Sequence, residues 1–114
     1  MTPSQLVNDH QGLNFSEEEL LEGVRESVRR ACRYMEEKKY AEAETVFSAI
    51  IIFFPKTIET YLALAYAQAM QAKFDQAEQV YRKILEMDPN CADAQRNLSV
   101  VCEAQGKDQT SHPA

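Results

Sequence analysis

The side chains in this sequence that could carry chemistry are two histidines and three cysteines. His10 and His112 lie near the two ends of the sequence, so no positioned imidazole base is expected. Cys32, Cys91 and Cys102 are odd in number and not closely spaced, which is typical of reduced thiols rather than of a disulfide framework or a metal site. A cysteine and a histidine meeting in space is the remaining route to catalysis, and nothing in the sequence favours it.

The abundant carboxylates have a structural explanation. Glu17, Glu18, Glu19 and Glu22 stand at the start of a predicted helix, where acidic groups favour the helix dipole. The sequence has no glycine-rich phosphate loop, and no set of His, Cys or acidic residues has metal-ligand spacing. We therefore predict neither an enzyme nor a protein that binds a cofactor or metal.

Length and charge narrow the class of partner. The 114 residues fit one domain, and 45% hydrophobic and 26% charged residues are ordinary for a globular protein. A net charge of −6 repels phosphate backbones and anionic lipids, so neither nucleic acid binding nor membrane insertion is expected. No apolar run approaches the roughly 20 residues of a spanning helix, and no basic stretch followed by an apolar one opens the sequence. These features predict a cytoplasmic protein.

Apolar periodicity predicts an all-α domain over residues 16–106, between a flexible N-terminal arm (1–15) and a flexible C-terminal tail (107–114). Short turns between the helices imply that neighbours are antiparallel. The predicted helices cover about 16–37, 41–54, 58–72, 75–87 and 92–105.

The ends of this helical region carry clear signals. Ser16 and Glu19 have the spacing of a capping box, and Phe15 with Leu20 could form a hydrophobic staple around it. Gly106 follows the last apolar-periodic residues, where it predicts a C-terminal stop.

The strongest signal in the sequence is self-similarity at an offset of 34 residues. The paired alanines predict close helix crossings, and the paired aromatic residues predict filling between helices. The prolines end each unit, because proline disfavours helix in the residue before it. The matched pairs are Ala31/Ala65, Tyr40/Phe74, Ala43/Ala77, Glu44/Glu78, Val46/Val80, Phe47/Tyr81, Ile50/Ile84 and Pro55/Pro89, with Leu64/Leu98 in a third, partial unit.

Residues 58–91 resemble the tetratricopeptide repeat, whose signature positions hold Tyr61, Leu64, Ala65, Phe74, Ala77, Tyr81, Leu85 and Pro89. Residues 24–57 match in their second half. In the first half they depart from the pattern, because Ser27 replaces a bulky aromatic residue and Arg30 replaces a leucine. The resemblance implies a short superhelical stack of about five antiparallel helices, made of two repeats and a capping helix at 92–106. We expect Leu20 and Leu21 to fold over the open N-terminal end of this stack.

In the family, the first helix of each pair lines a concave face. Such a mostly apolar trough would suit an extended, partly hydrophobic peptide, since methionine adapts to varied ligands. Alternatively, these side chains pack on a neighbouring helix or arm of the same chain. The basic and asparagine clamp for the acidic C-termini of heat-shock chaperones is not matched, because only Asn97 is compatible with it. The resemblance places on this face Val28, Cys32, Met35, Leu62, Tyr66, Ala69, Met70, Asn97 and Val100.

A run of five large apolar residues ends the second predicted helix. Ile50, Ile51 and Phe53 fall on positions that the repeat buries. Ile52 and Phe54 fall where the family has charged or polar residues. They either form an association surface for a partner or a second copy, or are covered by the first helix or the N-terminal arm.

Two functional hypotheses follow, and both name a protein or peptide partner. The first is a protein–protein interaction module that binds an extended segment in its concave groove, as a chaperone or adaptor. In size, acidity and groove character the chain is similar to the small tetratricopeptide repeat chaperones of bacterial type III secretion. The alternative is a structural subunit of a fixed complex or homodimer that uses the Ile52/Phe54 face.

Overall fold

The computed structural model describes residues 16–106, and all regular secondary structure in that range is helical. The predicted all-α class is therefore confirmed. The predicted arm and tail lie outside the described residues, as does Phe15 of the proposed staple. The helices are α1 (Glu17–Glu36), α2 (Tyr40–Phe53), α3 (Ile58–Ala69), α4 (Phe74–Met87) and α5 (Ala92–Ala104).

The first helix starts at the predicted capping box. The hydroxyl of Ser16 accepts a hydrogen bond from the backbone N–H of Glu19 at 3.1 Å. In return, the Glu19 carboxylate accepts one from the backbone N–H of Ser16 at 3.0 Å. Two N–H groups that lack a partner within the helix are thereby satisfied, which fixes where α1 begins.

The first helix of each pair ends in the same way. Lys38, Ala72 and Gly106 follow α1, α3 and α5 at intervals of 34 residues, and their φ angles are 61°, 63° and 76°. The backbone N–H of Lys39 donates to the carbonyl of Tyr34 at 2.7 Å, five residues earlier in the chain. The backbone N–H of Lys73 donates to the carbonyl of Gln68 in the same way, at 2.9 Å. This is a Schellman motif. It ends α3 at Ala69 rather than near Ala72 as predicted, because a left-handed residue cannot continue a right-handed helix.

Two hydrophobic clusters form the core. The four paired alanines are fully buried, which agrees with the predicted close crossings. Ile51 and Val80 pack against both clusters and join them. One cluster contains Ala31, Ala43, Phe47, Ile50, Leu64 and Ala67. The other contains Tyr61, Ala65, Ala77, Tyr81, Ile84, Ala94, Leu98, Val101 and Cys102.

A polar contact repeats with the same period. The side-chain amide of Gln71 donates to the Glu44 carboxylate at 2.8 Å and to the backbone carbonyl of Ala67. Thirty-four residues later, Gln105 donates to Glu78 at 2.8 Å and to the carbonyl four residues before it. Each glutamine therefore ties the end of a first helix to the second helix of the preceding pair.

The two ends of the stack differ. Consecutive helices pack on one another, and α5 buries Leu98, Val101 and Cys102 against its neighbours at the C-terminal end. At the N-terminal end α1 continues as a regular helix, and Leu20 and Leu21 remain 52% and 40% exposed. The prediction that these two leucines fold over the open end was wrong, because α1 is one regular helix from Glu17 to Glu36 and leaves both side chains exposed.

Candidate functional site

Equivalent positions on the first helices of the pairs present exposed side chains. Cys32, Tyr66 and Val100 lie 34 residues apart on α1, α3 and α5, and all three are exposed. Val28 and Met70, from the same predicted face, are also exposed. Exposed apolar groups at one repeat position are available for contact with another molecule.

The other four residues predicted for this face are half-buried. Met35 packs against one hydrophobic cluster, and Leu62 and Ala69 pack against the other. Asn97 is half-buried on α5. Packing within the chain, which the sequence left open as an alternative, therefore accounts for part of the predicted set.

Two tyrosines, Tyr40 and Tyr81, lie near Tyr66. The repeat pattern predicted for them only a role in packing between helices. The ring of Tyr40 meets the ring of Tyr66 edge-on, with centroids 6.4 Å apart. Burial raises the pKa of Tyr81 to about 12, although a hydrogen bond with Asn97 acts in the opposite direction. Tyr81 therefore stays neutral. In the sequence, Tyr40 and Tyr81 stood out only as members of repeat pairs, because Tyr40 aligns with Phe74 and Tyr81 with Phe47.

The apolar run at the end of α2 is more exposed than predicted. Ile50 is buried as expected, and Ile51 is half-buried rather than buried. Phe53 is 73% exposed, so its assignment to the core was wrong. Phe53 is the last residue of α2, where no described element covers it. Ile52 is 77% exposed, so α1 does not cover it. Phe54 is 37% exposed.

A cavity of about 710 Å³ lies between α1 and α2, and none of its lining residues belongs to α3 or α4. Ser27 and Arg30, the two departures from the repeat pattern, both line it. Their equivalents in the second unit, Tyr61 and Leu64, are large and buried. The sequence showed both departures, but a missing aromatic group reveals a cavity only once the neighbouring helix is placed. The remaining lining comes from Glu19, Leu20, Gly23, Val24, Thr45, Val46, Ala49, Ile50, Phe53 and Phe54.

Three of the residues that could carry chemistry, the cysteines, lie within the described part of the chain. Cys32 is exposed, Cys91 half-buried and Cys102 buried, and all three are free thiols. Among residues 16–106 no group of three His, Cys, Asp or Glu side chains could hold a metal ion. His10 and His112 lie outside the described residues. Within the described range, no helix has the length and apolar character needed to cross a membrane.

A comparison of the sequence with protein-family models gives the same picture as the 34-residue period, the paired helices and the repeated caps. The model described as tetratricopeptide repeat matches residues 34–108, which is more than half of the chain. The chain belongs to the tetratricopeptide repeat family. Proteins of this family are protein–protein interaction modules, so the general expectation of a protein or peptide partner is confirmed.

Solved structures agree with this tetratricopeptide repeat fold. The NMR structure of the first TPR domain of the human RPAP3 protein matches with a TM-score of 0.66 and 24% sequence identity. The match covers 75% of this chain and 68% of that domain. At this identity the similarity concerns the fold alone. A search among curated proteins found no match.

Proposed function

We propose that this tetratricopeptide repeat protein binds an extended, partly hydrophobic segment of a partner protein along the first helices of its pairs. The observation that carries the proposal is the repeated exposure of Cys32, Tyr66 and Val100 at one repeat position. Stacked repeats place equivalent positions side by side, so these side chains follow one another across the stack. A peptide lying across the helices would meet them in turn.

The chemistry of these side chains favours a peptide with apolar residues and a free backbone. Tyr66 and Met70, each 47% exposed, offer apolar surface. The thioether of Met70 can adapt to side chains of different shapes. Asn97, half-buried on α5, offers an amide that can bind a peptide group. This combination is suited to a chaperone or adaptor that holds a partner segment, including one of the type III secretion class.

The test is the Tyr66→Ala, Met70→Ala double variant. Peptides selected by the wild-type protein from a phage-displayed random library would be measured by calorimetry against both proteins. We expect affinity to fall about tenfold or more, because two large apolar contacts are removed. Met87→Ala, an exposed methionine on α4, serves as a control that should retain affinity. Equal affinity for the double variant, with unchanged helicity, would place the binding site elsewhere.

The exposed end of α2 favours a second candidate function. Ile52 is 77% exposed, and a solvated isoleucine at a position that the repeat normally keeps polar is suited to a permanent contact. In this alternative the protein is a structural subunit of a fixed complex or homodimer that uses Ile52 and Phe54. The Ile52→Asp, Phe54→Asp variant would then fail to co-purify with the complex, whereas the Tyr66→Ala, Met70→Ala variant would remain in it.

A further inference from the structure

We propose that the cavity between α1 and α2 receives α1 of a second copy of this chain, in a two-fold symmetric dimer with the two α1 helices antiparallel. The inference concerns a different surface from the peptide-binding face and does not rest on that function. It is carried by three observations: an uncovered repeat face, a glycine without an internal role, and a self-complementary pair of charges.

The first observation is that the same face is covered in the second unit. There Leu64 packs in one cluster with Phe47 and Ile50 of α2, and Ile51 packs against the cluster that contains Tyr61. A helix antiparallel to α3 therefore covers that face. In the first unit no described helix occupies the equivalent place beside α1, and the cavity marks it. A two-fold axis perpendicular to α1 would supply an antiparallel helix there.

The second observation is Gly23 in the middle of the cavity-facing side of α1. A Cβ atom built on Gly23 would meet nothing within 4 Å, so no packing within the described residues requires a glycine. Glycine weakens a helix interior. A close approach of a second helix backbone is a physical reason to have it, and Ser27, one turn further on, is small as well.

The third observation is that the first and last residues of α1 that line the cavity carry opposite charges. Glu19 lies at one end and Arg30 at the other, eleven residues or about 16 Å apart along the helix. Antiparallel pairing about a centre near Val24 sets each Glu19 opposite Arg30 of the other copy. No described residue forms an ion pair with Arg30.

The decisive experiment is charge complementation, with mass measured by light scattering over a range of concentrations. The wild-type chain of 13.0 kDa should be a dimer. Arg30→Glu and Glu19→Lys should each raise the dimer dissociation constant about tenfold or more, since each places like charges together. Mixing the two variants should restore association, because both cross-copy pairs are then opposite in sign. A mixture that stays monomeric while the wild type dimerises would overturn the proposal.

Ser27→Tyr provides the second arm, because it fills the cavity from within as Tyr61 does in the second unit. We expect a monomer whose melting temperature is at least that of dissociated wild type. A control, Val100→Asp on α5, should leave the dimer intact. A monomeric wild type that Ser27→Tyr destabilises would mean that residues 1–15 fill the cavity, and would overturn the proposal. A dimer that Ile52→Asp abolishes and that Ser27→Tyr leaves intact would also overturn the proposal. Association would then depend on the end of α2.

Discussion

The ammonium group of Lys73 lies 2.9 Å from the carboxylate of Glu44 and ties the turn after α3 to α2. Gln68 and Gln71 donate to the same carboxylate. Burial alone would raise the pKa of Glu44, but the hydrogen bonds from Lys73, Gln71 and Gln68 outweigh it and hold the pKa below its ordinary value of 4.5. One ionised carboxylate therefore joins both pairs of helices.

The first prediction concerns pH. A carboxyl group whose pKa is lower in the folded state stabilises the fold above the unfolded pKa, and this contribution is lost as pH falls through the folded pKa. We expect the free energy of unfolding of the wild type to fall between about pH 5 and pH 3, and that of Glu44→Gln to fall less steeply. Urea titrations at several pH values would measure it. Identical slopes for Glu44→Gln and the wild type would contradict the role of Glu44.

A second prediction tests the close crossing of α4. Ala77 is fully buried, so Ala77→Glu would force a carboxylate into a space that holds a methyl group and would strip its water. We expect a loss of about 3 kcal/mol or more in the free energy of unfolding. Circular dichroism melting curves would show it. Gln76→Glu, exposed on the neighbouring position, should melt like the wild type; an unchanged melt for Ala77→Glu would refute the repeat register.

A third prediction concerns the left-handed residue after α3. Ala72 has a φ angle of 63°, where an L-residue with a side chain is strained and glycine is not. Ala72→Gly should therefore raise the free energy of unfolding by about 0.5–1 kcal/mol, even after the greater freedom of glycine in the unfolded chain is counted.

The matched substitution for this third prediction is Gly106→Ala. Gly106 holds the equivalent position after α5 with a φ angle of 76°. We expect this change to lower the free energy of unfolding by a similar amount in the same denaturation assay. If both substitutions shift stability in the same direction, the shared cap is not the cause.

The fourth prediction addresses the end of α2. Because Ile52 is already 77% exposed, Ile52→Asp should change the free energy of unfolding of the monomer by less than about 0.5 kcal/mol. A clear drop in melting temperature, measured at a concentration where the chain is monomeric, would mean that another part of the chain covers Ile52. Ile50→Asp, at a buried position of the same helix, should unfold the protein.

Periodicity and capping signals were sufficient to predict the helices, their order and the paired alanines. Local chemistry decided these features: Ser16 and Glu19 mark a helix start, and Pro55 and Pro89 end each unit. The left-handed conformation of Ala72 could not be predicted, because alanine is a strong helix former and only the neighbouring helices impose the turn.

The candidate surfaces were predictable only in part. The repeat register assigned Tyr66 and Val100 to one face of the stack, and both side chains are exposed. The exposure of Phe53 and the cavity beside Ser27 arise because no described helix lies on that side of α1. The periodicity within one helix does not show which neighbours it has. Terminal units of a repeat stack differ from internal ones for this reason.

Ile51 and Val80, which touch both hydrophobic clusters, also bear on the cooperativity of unfolding. In a linear stack each pair of helices senses only its neighbour, so the coupling free energy between pairs decides whether the chain melts as one unit or in steps. Here that coupling includes Leu64 and Ala67 of α3, which pack in one cluster with Phe47 and Ile50 of α2, as well as the two aliphatic side chains and the carboxylate of Glu44. The backbone amide hydrogens of α1 and α2 should exchange with solvent at the same rate as those of α4 only while these contacts between the two helix pairs are intact.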